Sequence, residues 1–306
     1  MKKVFILVVA VALTAGAQAQ LGNLVRKAIT NTVEQKLNLN SPKQNEQKDV
    51  EMPSKDAEDK NRVPTPEEVM AMVPPIPPAQ QLADYACEQN RANPRTLKLL
   101  ANPTTTFLTK MVAATASGYV VMMGAGKEGS IYNLDEQLLK ELGISQEQYD
   151  AMSEEEQQKL AEKFASDLQD RYLRTAEFLA SDKAYNQLMD RYSEVEKEIT
   201  KKYDETDSVC RDIWQKKYGN KENPTEDDMC EYLRTVTPMQ HKTVLEAMKL
   251  RKARQLEIAK KIDTYVQELA KLHPGEVFAG FYNQGGICAT SYVADAARLT
   301  SLSVPR

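Results

Sequence analysis

YNQLMDRYSEVEKEITKKYDETDSVCRDI, residues 185–213, decides the fold. Tyr185, Leu188, Tyr192, Val195, Ile199, Val209 and Ile213 return at alternating intervals of three and four, with Lys202 and Thr206 filling the two places between. That spacing is the a/d seam of a helix packed lengthwise against another. A matching run follows in Val244, Met248, Arg251, Gln255, Ile258, Ile262, Tyr265, Leu269 and Leu272. Gly219 and Pro224 end the first helix, Thr225-Glu226-Asp227-Asp228 opens a short one, and Pro238 is expected to start the second long one. Two helices of similar length, about 50 Å at 1.5 Å per residue, predict an antiparallel, coiled-coil-like hairpin over 182–272. The fold class is then all-α, an elongated helical bundle built around that hairpin. Lys202 and Thr206 should face Arg251 and Gln255 near its middle. Four polar seam positions weaken an isolated pair, so a third helix or a partner is expected to cover them.

Outward from the hairpin the chain stays helical. Ser145-x-x-Gln148 and Ser153-x-x-Glu156 match the capping box, and the second should open a helix to about Leu179, with Leu160, Phe164, Leu168, Tyr172 and Leu179 inward. Before it, Met111 to Gly126 (MVAATASGYVVMMGAG) carries no charge. Its small residues let another helix approach closely, and Thr104 to Thr106 should cap it. This segment reads as a central buried helix. A short helix is expected over 95–100 and another from Ala79 to about Asn90. PPIPP at 74–78 reads as a stiff spacer, and Thr65-Pro66 as a helix start. The tail from Gly275 is a loop with aromatic anchors leading to a last helix near 289–302.

The N-terminal stretch, residues 1–66, has a different character. Lys2 and Lys3, the apolar run Val4 to Leu13 and Ala17-Gln18-Ala19 make residues 1–19 a secretory signal peptide, too short in its apolar part to span a bilayer. An amphipathic helix is expected over 20–40 (Leu21, Leu24, Val25, Ala28, Ile29, Val33, Leu37), able to lie on a membrane surface or fold back on the body. Residues 41–66, rich in charge and proline, form a disordered linker. The helical domain is 67–306.

Export makes the chain's four cysteines disulfide candidates. Cys210 and Cys230 flank the bend of the hairpin and are expected to pair, leaving Cys87 with Cys288. No CxxC occurs and there are two histidines, so no metal site is expected. Gly124-Ala125-Gly126-Lys127-Glu128 brushes against a phosphate-binding loop but lacks its first glycine and its Ser/Thr. Neither His241 nor His273 has a nucleophile in its motif, and acid pairs such as Glu154-Glu155-Glu156 and Asp227-Asp228 stand at helix starts, where carboxylates complement the dipole. No catalytic residue and no cofactor are therefore expected.

The chain's net charge is −4, and the signal segment contributes two lysines and no acid, so a nucleic-acid partner is not expected. The sequence reads as an exported, non-enzymatic interaction or scaffold protein of a bacterial envelope, periplasmic or extracellular. With no cysteine at the cleavage point, it is not a lipoprotein. It would present its hairpin to a protein partner or self-associate through helices. The rival is a membrane-active protein: segment 111–126 beside long helices resembles the layout of α-helical pore-forming toxins, which shelter an apolar hairpin until release.

Overall fold

The computed structural model describes residues 62–90, 103–125, 134–278 and 281–302. The expected signal peptide, the 20–40 helix, nearly all of the linker and the 95–100 helix lie outside them. The described residues are all-α, with no strand among them. They run α1 (Pro66–Ala71), α2 (Ala79–Asn90), α3 (Pro103–Met122), α4 (Leu134–Leu142), α5 (Gln146–Asp150), α6 (Glu154–Ser181) and α7 (Lys183–Tyr218). Then come α8 (Glu226–Leu250), a π turn (Arg251–Gln255), α9 (Leu256–Leu272), α10 (Gln284–Ala297) and a closing 3-10 turn (Arg298–Thr300). The chain divides into two compact units, one holding residues 126–174 and the other 63–125 with 175–306.

Local chemistry sets most boundaries. Capping boxes open α1 at Thr65, α5 at Ser145 and α8 at Thr225. At α6 the Ser153 and Glu156 side chains exchange bonds with each other's amides. Such caps are worth about 1 kcal/mol each. α3 starts earlier than expected: Pro103 is its first residue, so Thr104 to Thr106 lie inside the helix rather than before it. It ends at Gly124, whose φ of +73° is left-handed; Ala125 N–H donates to Val120 O and Gly124 N–H to Val121 O, closing a Schellman cap. Gly124 is therefore a helix stop, not part of a phosphate loop.

In the first unit, Arg171 of α6 donates to Glu141 of α4 at 2.8 and 2.9 Å, and Gln157 donates to the Tyr149 carbonyl at 2.9 Å. Leu160, Phe164, Leu168 and Tyr172 are half-buried.

In the second unit α7 packs along α8, the π turn and α9. Asp182 meets Tyr265, Glu196 meets Arg251, Lys202 meets Glu246, Thr206 meets Thr243 and the Cys210 carbonyl meets Tyr232. Partner numbers fall as the α7 numbers rise, so the pair is antiparallel. Three expectations need correction. Pro238 does not start a helix; α8 runs through it. A proline inside a helix costs about 3 kcal/mol, and full burial of Leu233 and Val236 beside it outweighs that. The polar seam residues do not face each other: Lys202 and Thr206 lie opposite Glu246 and Thr243, whereas Arg251 and Gln255 lie opposite Glu196. The buried face of α7 also drifts, taking in Tyr203 and Cys210 while Val209 stands 46% exposed. Tyr192 and Cys210 are separated by about five turns of a 3.6-residue helix, the period of a straight helix rather than of a heptad seam.

α10 begins at Gln284, sooner than expected, because its neighbours cap it. The Asp263 carboxylate accepts from the Gln284 and Gly285 amides at 2.7 and 3.0 Å. The Asn283 amide in turn donates to the Val121 and Met122 carbonyls at the end of α3. Gly286 is required here: a Cβ would sit 2.5 Å from Val121 O. α3 presents Met111, Ala114, Gly118 and Val121 inward, and α10 packs against it with the Thr290 hydroxyl 2.6 Å from Gly118 O.

Candidate functional site

Around the π turn three helices converge on one guanidinium. Arg251, 4% exposed, donates through Nε to Asp295 of α10 at 2.5 Å. Its Nη atoms reach Glu196 of α7 at 2.6 and 3.1 Å, and Nη1 also reaches Gln255 Oε1 at 2.8 Å. Gln255, fully buried, passes its amide on to Glu196 at 2.8 Å. The wider π turn holds Arg251 and Gln255 side by side on the buried face. π turns recur where a helix must aim side chains at a site.

Burial acts against the Arg251 charge, but the hydrogen bonds it donates to Glu196 and Asp295 overcome it and raise the pKa. Burial likewise pushes the Glu196 carboxyl up, and hydrogen bonds from Arg251 and Gln255 bring it below its ordinary value. For Asp295 burial wins over the guanidinium beside it, and its pKa is raised. The Cys288 thiol, 3.6 Å from Gln255 Oε1, is pushed up to about 12 by burial, with Arg251 offsetting part. A thiol so placed is protonated at neutral pH and is a poor nucleophile. Every nitrogen of the guanidinium already meets an oxygen. This arrangement locks α7, the π turn and α10 in register.

Beside the lock, Arg298 stacks 3.7 Å over the Tyr203 ring. Both line a cavity of about 210 Å³ with Thr206, Asp207, Gln240 and Thr243. The buried Tyr203 hydroxyl and Gln240 Oε1 make no hydrogen bond of normal geometry, although the Asp295 carboxylate lies close enough to the tyrosine to add to the upward push of burial on its pKa. The cavity is roomy and polar enough for ordered water.

The four cysteines are free thiols, all buried. Neither expected pairing, Cys210–Cys230 or Cys87–Cys288, is formed. Cys288 packs in the main core, whereas Cys87, Cys210 and Cys230 share a second cluster with Tyr218, Tyr232, Leu233 and Val236. His241 Nε2 donates to the Pro77 carbonyl at 3.0 Å, and His273 ends α9 with its ring 5.0 Å from Phe178. Both therefore have structural roles, and neither lines the cavity above. Glu156 and Asp228 are cap residues, with Asp228 also held by Lys221 at 2.7 Å. Among the described residues no group of His, Cys, Asp and Glu is arranged to hold a metal. Glu196, Asp295 and Tyr203 were not singled out by the sequence. Asp295 had one signal, as the lone acid in the run ICATSYVADAA of α10.

The other candidate is the outer face of α3. Its inner residues lie under α10, but Val112 is 63% and Tyr119 46% exposed, with Ala113 and Thr115 open between them. No charged residue follows Lys110 on this helix. No helix among the described residues is long and apolar enough to cross a membrane. No protein-family model, curated protein or solved structure shows significant similarity to the chain.

Proposed function

We propose that the protein is an exported, non-enzymatic interaction protein that receives a partner's apolar helix on the outer face of α3. The observation that carries this is the exposure of Val112 and Tyr119 on a helix that carries no charge after Lys110 and whose opposite face packs under α10 and α1. Alanine and threonine between them allow a close helix–helix approach. The surface differs from the one the sequence indicated. The polar seam of α7 and α8–α9 finds its partners inside the fold, so the hairpin has no unmet need there. The N-terminal residues 1–19 support export, and the clustering of buried residues into packing and caps supports a non-enzymatic role.

The test is site-specific photo-crosslinking from position 112 in exporting cells, with exposed Glu257 as the control position. A discrete adduct from 112 that Tyr119→Asp abolishes, with the melting temperature unchanged, supports the reading. No adduct, or equal adducts from both positions, overturns it. The membrane-active alternative draws on the same exposed face. It requires co-sedimentation with anionic and neutral vesicles that Val112→Asp abolishes, which the protein-partner reading does not.

A further inference from the structure

We propose that Cys87 and Cys230 form a disulfide that staples α2 to α8 when the protein meets an oxidant. The Cys87 thiol lies 3.5 Å from the Cys230 carbonyl oxygen, and the Cys230 thiol is close enough to add to the upward push of burial on its pKa. Both residues are almost fully buried. Their helices are already held together on one side of the pair: Arg234 donates to Asp84 at 3.0 Å, and further along His241 donates to the carbonyl of Pro77, just before α2. The two thiols are free and not at bonding distance, so the bond forms by closing the gap between two side chains on helices already packed together.

The other two cysteines are worse placed. The groups acting on the Cys210 thiol are its own burial, Asp207 and Arg211, and its carbonyl is taken by the Tyr232 hydroxyl at 3.1 Å. Cys288 is turned to Gln255 and the Arg251 carbonyl in the other cluster. The pairing thus takes one cysteine from each pair indicated by the sequence. It deepens the export reading and rests on it only for where the bond forms, since exported proteins meet oxidising surroundings.

The oxidant is a small-molecule disulfide of the glutathione class. One cysteine thiolate attacks a sulfur of that disulfide and expels a thiol, leaving a mixed disulfide. The second cysteine thiolate then attacks the protein-bound sulfur, forming the Cys87–Cys230 bond and expelling the second thiol. Two protons and two electrons pass from the protein to the oxidant, which leaves as two thiols. Burial, with the neighbouring Cys230 thiol, holds Cys87 at about 12. The bond should therefore form readily during folding, slowly in the native state, and resist reduction once made.

The full chain, purified under reductant, is unfolded, refolded in mixed reduced and oxidised glutathione, alkylated, and digested without reduction for mass spectrometry. The expected result is one reducible peptide pair joining Cys87 to Cys230, with Cys210 and Cys288 alkylated only after denaturation. A Cys210–Cys230 or Cys87–Cys288 link, or four free thiols after oxidation, overturns the proposal. A second measurement compares melting with and without reductant. The oxidised form should melt about 5–15 °C higher. Cys87→Ser and Cys230→Ser should each erase that difference, while Cys210→Ser and Cys288→Ser keep it; persistence in Cys87→Ser overturns the assignment. Because the oxidant is supplied, failure here says nothing of export, which leader cleavage and cell fractionation read separately.

Discussion

The charged and the apolar halves of the α7/α8–α9 pair, for short its two ends although the π turn lies near its middle, are held by different physics. At the π turn, Arg251 binds Glu196, Gln255 and Asp295 in a charged lock with short, directional bonds. Toward the 219–225 connection the contact is apolar and aromatic: Leu233 and Val236 are fully buried, and Tyr232 meets Trp214 edge-on at 5.0 Å. The apolar end gains from area removed from water and tolerates imperfect fit. The charged end gains little net free energy, because desolvation offsets attraction, but it admits a single arrangement. One end supplies adhesion and the other fixes which helices meet in which register.

This division is most easily broken at Arg251. Arg251→Ala leaves Asp295, 4% exposed, as a buried acid without its cation, and should cost about 3–5 kcal/mol in urea unfolding. Replacing the lock as a set, Arg251→Met with Asp295→Leu, Glu196→Leu and Gln255→Leu, should recover most of that loss, since no buried polar group is left without its partner. If this combined variant is as unstable as the single one, the lock contributes net stability and the distinction between the two ends fails.

The apolar end should respond to volume instead. Leu233→Ala removes a fully buried side chain and is expected to cost about 2–4 kcal/mol, with no second substitution able to restore it short of refilling the space. Combined with Arg251→Ala, its cost should simply add, because the two sites share no partner. Coupling above about 1 kcal/mol would show that the ends act as one cooperative contact. Tyr232→Phe tests the polar exception at this end. It removes only the hydroxyl bond to the Cys210 carbonyl, 3.1 Å long, and should cost about 1 kcal/mol by calorimetry.

How far the sequence reaches follows the same line. Periodicity and caps are local, so the antiparallel pair, the capping boxes at Ser145 and Ser153, the helix starts at Thr65 and Thr225, and the end of α9 at His273 were all legible. The register of the seam was not, because it depends on a straight-helix drift that brings Tyr203 and Cys210 inward and on Glu196, which lies just off the marked positions. Pro238 misled because its local cost is real and is outweighed only by burial of neighbours that touch other helices. The lock was half legible: Arg251 and Gln255 stood out as polar residues in a seam, but Asp295 comes from a helix whose packing no local pattern encodes. The half-exposed state of α3 was illegible for the same reason. An uncharged run looks identical whether one side is covered or both.

The smallest effect is the most diagnostic for electrostatics. The Glu196 carboxyl has its pKa lowered on folding, so it contributes stability that is present above its unfolded value, near 4.5, and is lost as pH falls through the lower folded value. Asp295 has its pKa raised, so its ionisation in the fold costs stability as pH rises past the unfolded value, and the sign is opposite. Both carboxylates face Arg251, which makes the acid limb of the stability curve a difference of two terms. Glu196→Gln should remove the stabilising one and flatten the decline in urea midpoint between pH 5 and about pH 3. Asp295→Asn should keep that decline or steepen it. The Glu196 side chain is 43% exposed, so added salt should shrink the contrast. An unchanged acid limb in Glu196→Gln would mean that Asp295 alone carries the charge balance of the lock. The rim of the charged end would then be as indifferent to pH as the apolar end.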